Sequence, residues 1–324
     1  MFYCVVNPAA RSGQGGGIWR RLERELADRS LSYEVIFTDG PGRALEAVRE
    51  RTGRIAEGDE PLDIVVLGGD GTLNEVLSGI TDLKRVRLGL VPVGSGNDFA
   101  RDLELPRDPA RIIERICDGV ERRRLDVGIL EYSDLDGPRS RLNIEPEVTR
   151  RFGVSAGIGF DAAVCEEALQ SGTKNRLNRL GLGKLSYGAI AVRNIAHAPR
   201  IHCDIELIRG EGSESIQLSH FLFIAAMIHH YEGGGFKFAP GADMTDGLFD
   251  MCIIGQMPVA RMFMAMPFAY FGRHYMFKGT MHRLAREVHI HAEAPLWVHT
   301  DGEVLVAAKD LVFKCERQAL SMIV

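Results

Sequence analysis

The residues from Gly68 to Val76, with sequence GGDGTLNEV, have the composition of a phosphate-binding turn. The apolar run 62–67 before them predicts a buried strand, and the apolar spacing after Thr72 predicts a helix. Glycines let backbone N–H groups approach an anion, and a helix N-terminus adds about half a positive charge. Asp70 would repel phosphate unless a cation lay between them, so the turn predicts a metal-bridged phosphate site. A simple helix cap is the alternative interpretation of Asp70.

Two further loops that combine glycine with polar residues also follow predicted strands. They are residues 7–13 (NPAARSG) and 94–98 (GSGND). In a parallel sheet, ligands bind beyond the carboxyl ends of the strands, so three such loops together favour a ligand site. The GxxxxGK[ST] and GxGxxG patterns are absent from the sequence. A nucleotide, if one binds, therefore uses a different kind of loop.

The elements that would position these loops change in character near residue 124. Before it, predicted strands at 2–6, 32–37, 63–67 and 87–93 alternate with helical segments, which indicates a doubly wound parallel α/β sheet. After it, the sequence predicts a mainly antiparallel β-sandwich interrupted by two helices. The predicted strands of this half are 125–132, 139–155, 201–208, 216–227, 248–254, 287–291, 296–299 and 311–315, and the helices are 161–170 and 185–195.

The bulk composition limits the class of protein. A chain of 324 residues is long enough for two domains, and its net charge of -5 gives no general attraction to nucleic acid. The six cysteines form no CxxC pair, which predicts reduced cysteines in a cytoplasmic protein. No signal peptide is recognisable, and no apolar run reaches the roughly 20 residues that cross a bilayer. We expect a soluble or peripheral protein.

Several motifs along the chain together resemble one family. They are NPxxxSG at 7–13, GGDGTLNEV at 68–76, LVPVGSGNDFAR at 90–101, YEGGGFKFAP at 231–240, TDGLFD at 245–250 and DGE at 301–303. Their combination is similar to the diacylglycerol kinase catalytic-domain family, which includes bacterial diacylglycerol kinases and sphingosine kinases. The resemblance implies a first domain of NAD kinase or diacylglycerol kinase type at 1–124. It also implies a lipid and metal domain at 125–308, a terminal segment 309–324 that packs on the first domain, and an active site in the interdomain cleft.

The resemblance also implies which residues bind ATP and Mg²⁺. The expected nucleotide-binding residues are Asn7, Pro8, Ser12, Thr38, Gly68, Gly69, Asp70, Gly71, Thr72, Leu73, Asn74, Ser95 and Asn97. The family's structural Mg²⁺ would be held by Asp246, with Asp243 and Leu248 nearby. Oxygen ligands suit Mg²⁺. A plain Asp-Gly turn is the alternative interpretation of residues 245–247.

The DGE motif is where the acceptor hydroxyl would be activated. Glu303 is the first choice for the general base, because a hydroxyl is a poor nucleophile at neutral pH. Asp301 would orient it or hold a catalytic Mg²⁺ with Asp70, since acids two residues apart on a strand project to one face. A hairpin tip at Gly302 would instead make the pair an ordinary exposed turn. Asp98 is a further carboxylate expected to line the cleft.

The function implied by the resemblance is transfer of the γ-phosphoryl group of ATP to a lipid hydroxyl. Diacylglycerol is the favoured acceptor, giving phosphatidic acid in phospholipid metabolism. A sphingoid base or another lipid alcohol, an NAD kinase-like reaction, and a nucleotide-binding regulator without activity remain open. We expect peripheral contact with the inner face of the membrane, no nucleic-acid partner, and a homodimer as one oligomeric option.

Two features of the second half carry less specific expectations. The Met-rich and aromatic segment 258–271 predicts an apolar wall for acyl chains, a membrane-docking face, or a helix packed on the sandwich. The histidine pairs 229–230 and 289–291 lack a third ligand at metal spacing, so hydrogen-bonded or solvent-facing histidines are favoured over zinc. Ile228 stands where the family often has Asn, a departure that bears on acceptor choice.

Overall fold

The computed structural model describes residues 1–94, 96–119, 122–133, 148–160, 162–163, 165–166, 201–255 and 257–324. Of Arg11, Ser12, Val259 and Leu305 it describes the backbone alone. The predicted helix 185–195, most of the predicted helix 161–170, the first part of the predicted strand 139–155, and Ser95 lie outside these residues.

The first half of the chain forms a parallel sheet with helices on both faces. Its strands are β1 (Phe2–Val6), β2 (Tyr33–Phe37), β3 (Leu62–Gly68) and β4 (Val86–Pro92), and its helices are α1 (Ala10–Gly13), α2 (Gly15–Asp28), α3 (Arg43–Thr52), α4 (Asp70–Gly79), α5 (Asp98–Asp102) and α6 (Pro109–Asp118). The strands lie in the order β2–β1–β3–β4, all parallel. This confirms the predicted doubly wound α/β fold.

Each helix buries one apolar stripe against the sheet. Trp19 and Leu22 of α2 pack with isoleucines of α6 on one face. Val48 of α3 and Leu73 of α4 pack on the other. The strands between these layers are apolar on both sides, as expected for a sheet covered on both faces.

The second half is strand-rich and mainly antiparallel, as predicted. Its elements are β5 (Arg122–Ser133), β6 (Thr149–Phe152), β7 (Ser155–Gly159), β8 (Ile201–Arg209), β9 (Gly212–Met227), β10 (Phe249–Gly255), α7 (Val259–Tyr270), β11 (Thr280–Ala285), β12 (Glu287–Thr300) and β13 (Glu303–Ile323). Strands β7 and β8 both bridge β9 and β12, which curves the sheet around a core that includes Phe152, Phe249 and Phe313.

The long strand β13 joins the two halves into one sheet. It pairs antiparallel with β12 and β5, and its residues Ser321–Ile323 pair parallel with β4. The predicted strand 311–315 was therefore too short, and the predicted strands 287–291 and 296–299 are one strand with an irregular pairing between His291 and Leu296. β11 was not predicted. The bounds at residues 124 and 308 stay predictions.

Candidate active site

The loops after β3 and β4 meet at a contact between two glycines. A Cβ on Gly69 would lie 3.0 Å from the Cα of Gly94, and a Cβ on Gly94 would lie 2.7 Å from the Cα of Gly69. The loop after β1 joins them, because Asn7 Nδ2 donates to Thr72 Oγ1 at 3.3 Å. These loops lie where the strand order reverses between β1 and β3, which is the usual ligand-binding position in a doubly wound sheet.

Asp70 is the first residue of α4. It lies on the glycine-lined surface that these loops form. The backbone N–H of Asp98 donates to its Oδ2 at 3.2 Å, and a Cβ on Gly96 would lie 3.1 Å from the same oxygen. Burial and the charges of Asp98 and Asp301 raise the pKa of Asp70 to about 6, although the Asp98 hydrogen bond opposes the shift. A cation between these carboxylates would relieve their repulsion.

Asp98 joins the loop after β4 to the YEGGG loop of the second half. Its Oδ2 accepts the backbone N–H of Gly234 at 2.8 Å, and its Oδ1 accepts Arg101 Nη1 at 2.8 Å. The Arg101 guanidinium also lies 5.4 Å from the ring centre of Tyr231. Burial raises the pKa of Asp98, while the bonds from Gly234 and Arg101 oppose this. Asp98 therefore connects the loop after β4 to the second half of the chain, and its place in a cleft stays a prediction.

The DGE residues form the hairpin turn between β12 and β13. Asp301 has a φ of 51° and Gly302 a φ of 83°, and Thr300 pairs with Glu303 across the turn. Two consecutive positive φ angles are typical of a two-residue hairpin, for which Asp-Gly is a preferred pair. The prediction that Asp301 and Glu303 project from one strand face is wrong, because Asp301 lies in the turn and only Glu303 lies in a strand.

The turn is nevertheless anchored in the protein and does not simply face solvent. Both oxygens of Asp301 accept hydrogen bonds, and four groups donate to them. The donors are Asn74 Nδ2 at 2.9 Å, Gly153 N at 3.0 Å, Val154 N at 2.8 Å and Ser155 N at 3.0 Å. With this many donors, the Asp301 carboxylate positions the turn, which agrees with its predicted orienting role better than with a role as base.

Asn74 transmits this anchor to α4. It is fully buried, its Oδ1 accepts a hydrogen bond from Arg150 of β6, and its Nδ2 donates to Asp301. Because arginine only donates and a carboxylate only accepts, these partners fix the orientation of the Asn74 amide. The predicted residues Asn74 and Asp301 therefore form one polar link between the two halves of the chain.

Glu303 lies against the first turn of α4. A Cβ on Gly71 would overlap the Glu303 carboxylate, so only a glycine at position 71 admits this approach. The positive end of a helix favours a carboxylate nearby. The structure thus brings Glu303 to Gly71, the residue after Asp70, although Glu303 is far from this turn in the sequence.

A buried histidine that sequence reasoning missed supports the same turn. The N–H of Gly302 donates to His299 Nδ1 at 3.3 Å, which leaves the ring proton on Nε2. Nε2 lies 3.1 Å from Oε1 of Glu232, in the YEGGG loop. No sequence signal marks His299, because its role depends on burial and on a partner distant in sequence.

Asp102 makes a second set of contacts that the sequence did not reveal. It accepts hydrogen bonds from His229 Nδ1 at 3.0 Å, His230 N at 3.0 Å and His230 Nδ1 at 2.8 Å. Burial raises the pKa of Asp102, but the bonds and charges of the histidines outweigh it and lower the pKa to about 2. His229 and His230 therefore attach α5 to the chain segment that directly follows β9.

The remaining predicted nucleotide residues surround the three loops. Thr38 N donates to Val6 O at 2.9 Å at the end of β1, and Leu73 is buried in the core below α4. Asn97 has a φ of 51° and donates to Gly94 O at 2.9 Å, while its buried Oδ1 has no hydrogen-bond partner among the described residues. The side chain of Ser12 and all of Ser95 lie outside the described residues.

The predicted Mg²⁺ residues form a compact acidic turn. Asp243 Oδ1 accepts Thr245 N at 2.9 Å, and Asp246 Oδ1 accepts Leu248 N at 2.9 Å. Asp126 joins them, since its Oδ2 accepts Gly247 N at 2.6 Å. Burial, then the charges of Asp246 and Asp243, raise the pKa of Asp126 despite its backbone hydrogen bonds. No cluster of three or more metal-ligating side chains occurs in the described part of the chain, so this site stays a prediction.

Two family models match the chain. Residues 1–129 match the family described as "Diacylglycerol kinase catalytic domain", and residues 154–324 match "YegS C-terminal NAD kinase beta sandwich-like domain". The second match alone spans more than half of the chain. The chain belongs to the diacylglycerol kinase family. Its class is that of a lipid kinase, and the two matched domains confirm the predicted combination of an α/β domain with a sandwich-like domain.

Individual relatives agree with this assignment. The chain is 25% identical over 305 residues to a Bacillus subtilis protein named "Putative lipid kinase YtlR", covering 94% of this chain and 93% of that one. It is 26% identical over 242 residues to a diacylglycerol kinase of Bacillus subtilis, covering 74% and 70%. The crystal structure of a diacylglycerol kinase from Bacillus anthracis has the same fold, with a TM-score of 0.68, 21% identity, and coverage of 99% and 96%.

Asp70→Asn should make the protein more stable at neutral pH. The folded pKa of Asp70, about 6, lies above its ordinary value of 3.8, so the stabilisation present below 3.8 is lost as pH rises toward and through 6. Because asparagine does not ionise, the variant does not lose stability in this way as the pH rises. We compare the free energy of unfolding of the variant with that of the unmodified protein. We expect this difference to favour the variant by about 1 to 3 kcal/mol more at pH 7.5 than it does at pH 4. Urea unfolding at both pH values measures this, and a difference that is independent of pH would contradict it.

Proposed function

We propose that this kinase transfers the γ-phosphoryl group of ATP to the hydroxyl of a lipid, with diacylglycerol as the acceptor and phosphatidic acid as the product. The observation that carries the proposal is the convergence of Asp70, Asp98 and Glu303 on a glycine-lined surface. This surface has the position of a ligand site in a doubly wound sheet. The family assignment supports a lipid acceptor.

The glycine loops suit the phosphates of ATP. The close approach of Gly69 to Gly94 exposes backbone where side chains would otherwise stand, and the N-terminus of α4 favours negative charge there. Asn97 Oδ1 lies buried beside Gly94, with no hydrogen-bond partner in the described part of the chain. These features support the predicted nucleotide-binding residues.

The acids of the first half suit a divalent cation. Asp70 and Asp98 offer oxygen ligands, and the pKa of Asp70 is raised by burial and then by repulsion from Asp98, which a cation would relieve. A bound Mg²⁺ would neutralise charge on the transferred phosphoryl group. The turn with Asp243, Asp246 and Leu248 also offers oxygen donors, and we propose it as the structural Mg²⁺ site implied by the family.

Glu303 is the group proposed to accept the proton of the acceptor hydroxyl. As the proton moves to its carboxylate, the lipid oxygen bonds to the γ-phosphorus, the bond to the bridging β,γ-oxygen breaks, and ADP leaves. Asp301 positions the turn through its four donors. Phosphoryl transfer depends mainly on such positioning and on charge neutralisation.

The acceptor should be identified by direct assay. With radiolabelled ATP and Mg²⁺, we expect transfer to diacylglycerol and little or none to sphingosine, ceramide, undecaprenol or NAD. Selective transfer to another lipid would identify that lipid as the acceptor and would leave the assignment as a lipid kinase unchanged. Transfer to NAD and to no lipid would contradict the proposal.

Glu303→Gln and Asp70→Asn should each lower kcat by at least about a hundredfold. This is the usual size of a lost general base or of lost electrostatic stabilisation. Steady-state kinetics with diacylglycerol, with thermal unfolding as the check on folding, measures the effect. Full activity in both folded variants would show that the chemistry lies elsewhere.

Gly71→Ala tests the position of Glu303 without altering its charge. The added methyl group overlaps the end of a flexible side chain, so the carboxylate moves while the fold remains. We expect kcat to fall about tenfold or more, since misplacement of a reacting group by about 1 Å has large effects. Gly17→Ala, at a glycine with open space around it, is the matched control. Equal activity of the two variants would argue against contact between Glu303 and the acceptor.

A further inference from the structure

Helix α7 and the turn that follows it expose an unusual number of large apolar side chains. Met264 is 57% exposed, Phe271 70% and Met276 71%, and Phe268 and Tyr270 are also exposed. Among the described residues, few other large apolar side chains are exposed to this extent. Contiguous apolar surface of this kind usually contacts another molecule. We call residues 264–278 the docking surface.

The docking surface lies in a segment that contains no acid. From Met251 to Arg286 the sequence has no Asp or Glu, although the chain as a whole has a net charge of -5. The basic residues of the segment are Arg261, Arg273, Lys278, Arg283 and Arg286. Arg283 pairs with Glu214 at 2.8 Å, whereas Arg273 and Lys278 are exposed and form no ion pair within the described ranges. The surface is therefore both apolar and positively charged.

The docking surface continues toward the candidate active site. The backbone N–H of Lys237, next to the GGG turn, donates to Ala269 O of α7 at 3.0 Å. The rings of Phe236 and Tyr270 meet edge to face at 5.9 Å. The same loop reaches Asp98 through Gly234. A molecule on the docking surface would thus lie beside the loop that contacts Asp98.

An open apolar pocket of about 450 Å³ lies in this surface. It is lined by Phe236, Phe263, Met266, Pro267, Tyr270 and Phe271. Its lining has no charged side chain, while Arg273 and Lys278 follow in the adjacent turn. Apolar side chains bordered by cations match the hydrocarbon and the anionic headgroups of a bilayer.

A second copy of this chain fits the surface less well. A symmetric dimer through residues 264–278 would place Arg273 and Lys278 of both copies in one interface without an acid from this segment, and like charges repel. An anionic bilayer instead attracts each of these cations. The charge therefore favours a membrane.

We propose that α7 and the turn after it insert into an anionic phospholipid bilayer and hold the catalytic cleft at its surface. The proposal rests on the proposed function only in that the acceptor is a lipid. No helix of the described residues is long and apolar enough to cross a membrane.

Vesicle sedimentation with the full chain tests the proposal. We expect the unmodified protein to bind vesicles of phosphatidylcholine mixed with phosphatidylglycerol, and to bind vesicles of phosphatidylcholine alone more weakly. Met264→Ser combined with Met276→Ser should lower the partition coefficient about fivefold or more, because two exposed apolar side chains lose their burial in hydrocarbon. Arg273→Glu combined with Lys278→Glu should abolish the preference for anionic vesicles. The matched control is Lys84→Glu combined with Arg111→Glu, exposed cations of the first half.

Activity separates this proposal from the proposed function. The Met264→Ser, Met276→Ser variant should phosphorylate a dispersed short-chain diacylglycerol at the unmodified rate, and lose rate only with diacylglycerol in anionic vesicles. Unchanged vesicle binding in both surface variants would overturn the docking proposal while leaving the kinase activity intact. Absence of turnover with dispersed diacylglycerol in the unmodified protein, with vesicle binding as expected, would count against the diacylglycerol assignment alone. A dimer that the methionine variant dissociates, without loss of vesicle binding, would identify the surface as a contact between copies.

Discussion

The arrangement of the site depends on the carboxylate of Asp301 and the four N–H groups that donate to it. Three of these donors are consecutive backbone groups, two between β6 and β7 and one at the first residue of β7, and the fourth is the amide of Asn74 in α4. A carboxylate held by several donors in a partly buried place is costly to move, because each donor would lose its partner. The turn from β12 to β13 is therefore fixed to both halves of the chain, and Glu303 follows it to the start of α4.

Strand β13 explains why this local link can hold two halves in register. It leaves the turn at Glu303, pairs with β12 and β5, and ends beside β4 of the parallel sheet. The turn with its acids and the glycine loops of the first half are thus attached to strands of one continuous sheet. The links from Glu232 to His299 and from Gly234 to Asp98 attach the YEGGG loop to the same frame.

The sequence predicted those features that depend on local patterns. The alternation of apolar strands and helices before residue 124 was sufficient for the doubly wound sheet, and the glycine motifs marked the strand ends that meet at the site. For Asp301 the favoured interpretation was wrong, and the alternative of a hairpin turn at Gly302 is what the structure has. The spacing of Asp301 from Glu303 suggested one strand face, whereas the Asp-Gly pair placed it in a hairpin turn. The roles of His299 and Asp102 depend on partners that only the fold brings near, so no periodicity or motif marks them.

The Asp301 carboxylate fixes the turn to Gly153–Ser155 and α4. Amide hydrogen exchange of Asp301→Asn tests it most directly, because the variant keeps the size of the side chain but replaces one acceptor oxygen with a donor. We expect faster exchange at residues 153–155 and in the first turn of α4, with unchanged exchange in β1 as evidence that the fold persists. Unchanged exchange at residues 153–155 would show that the Asp301 carboxylate does not hold the turn.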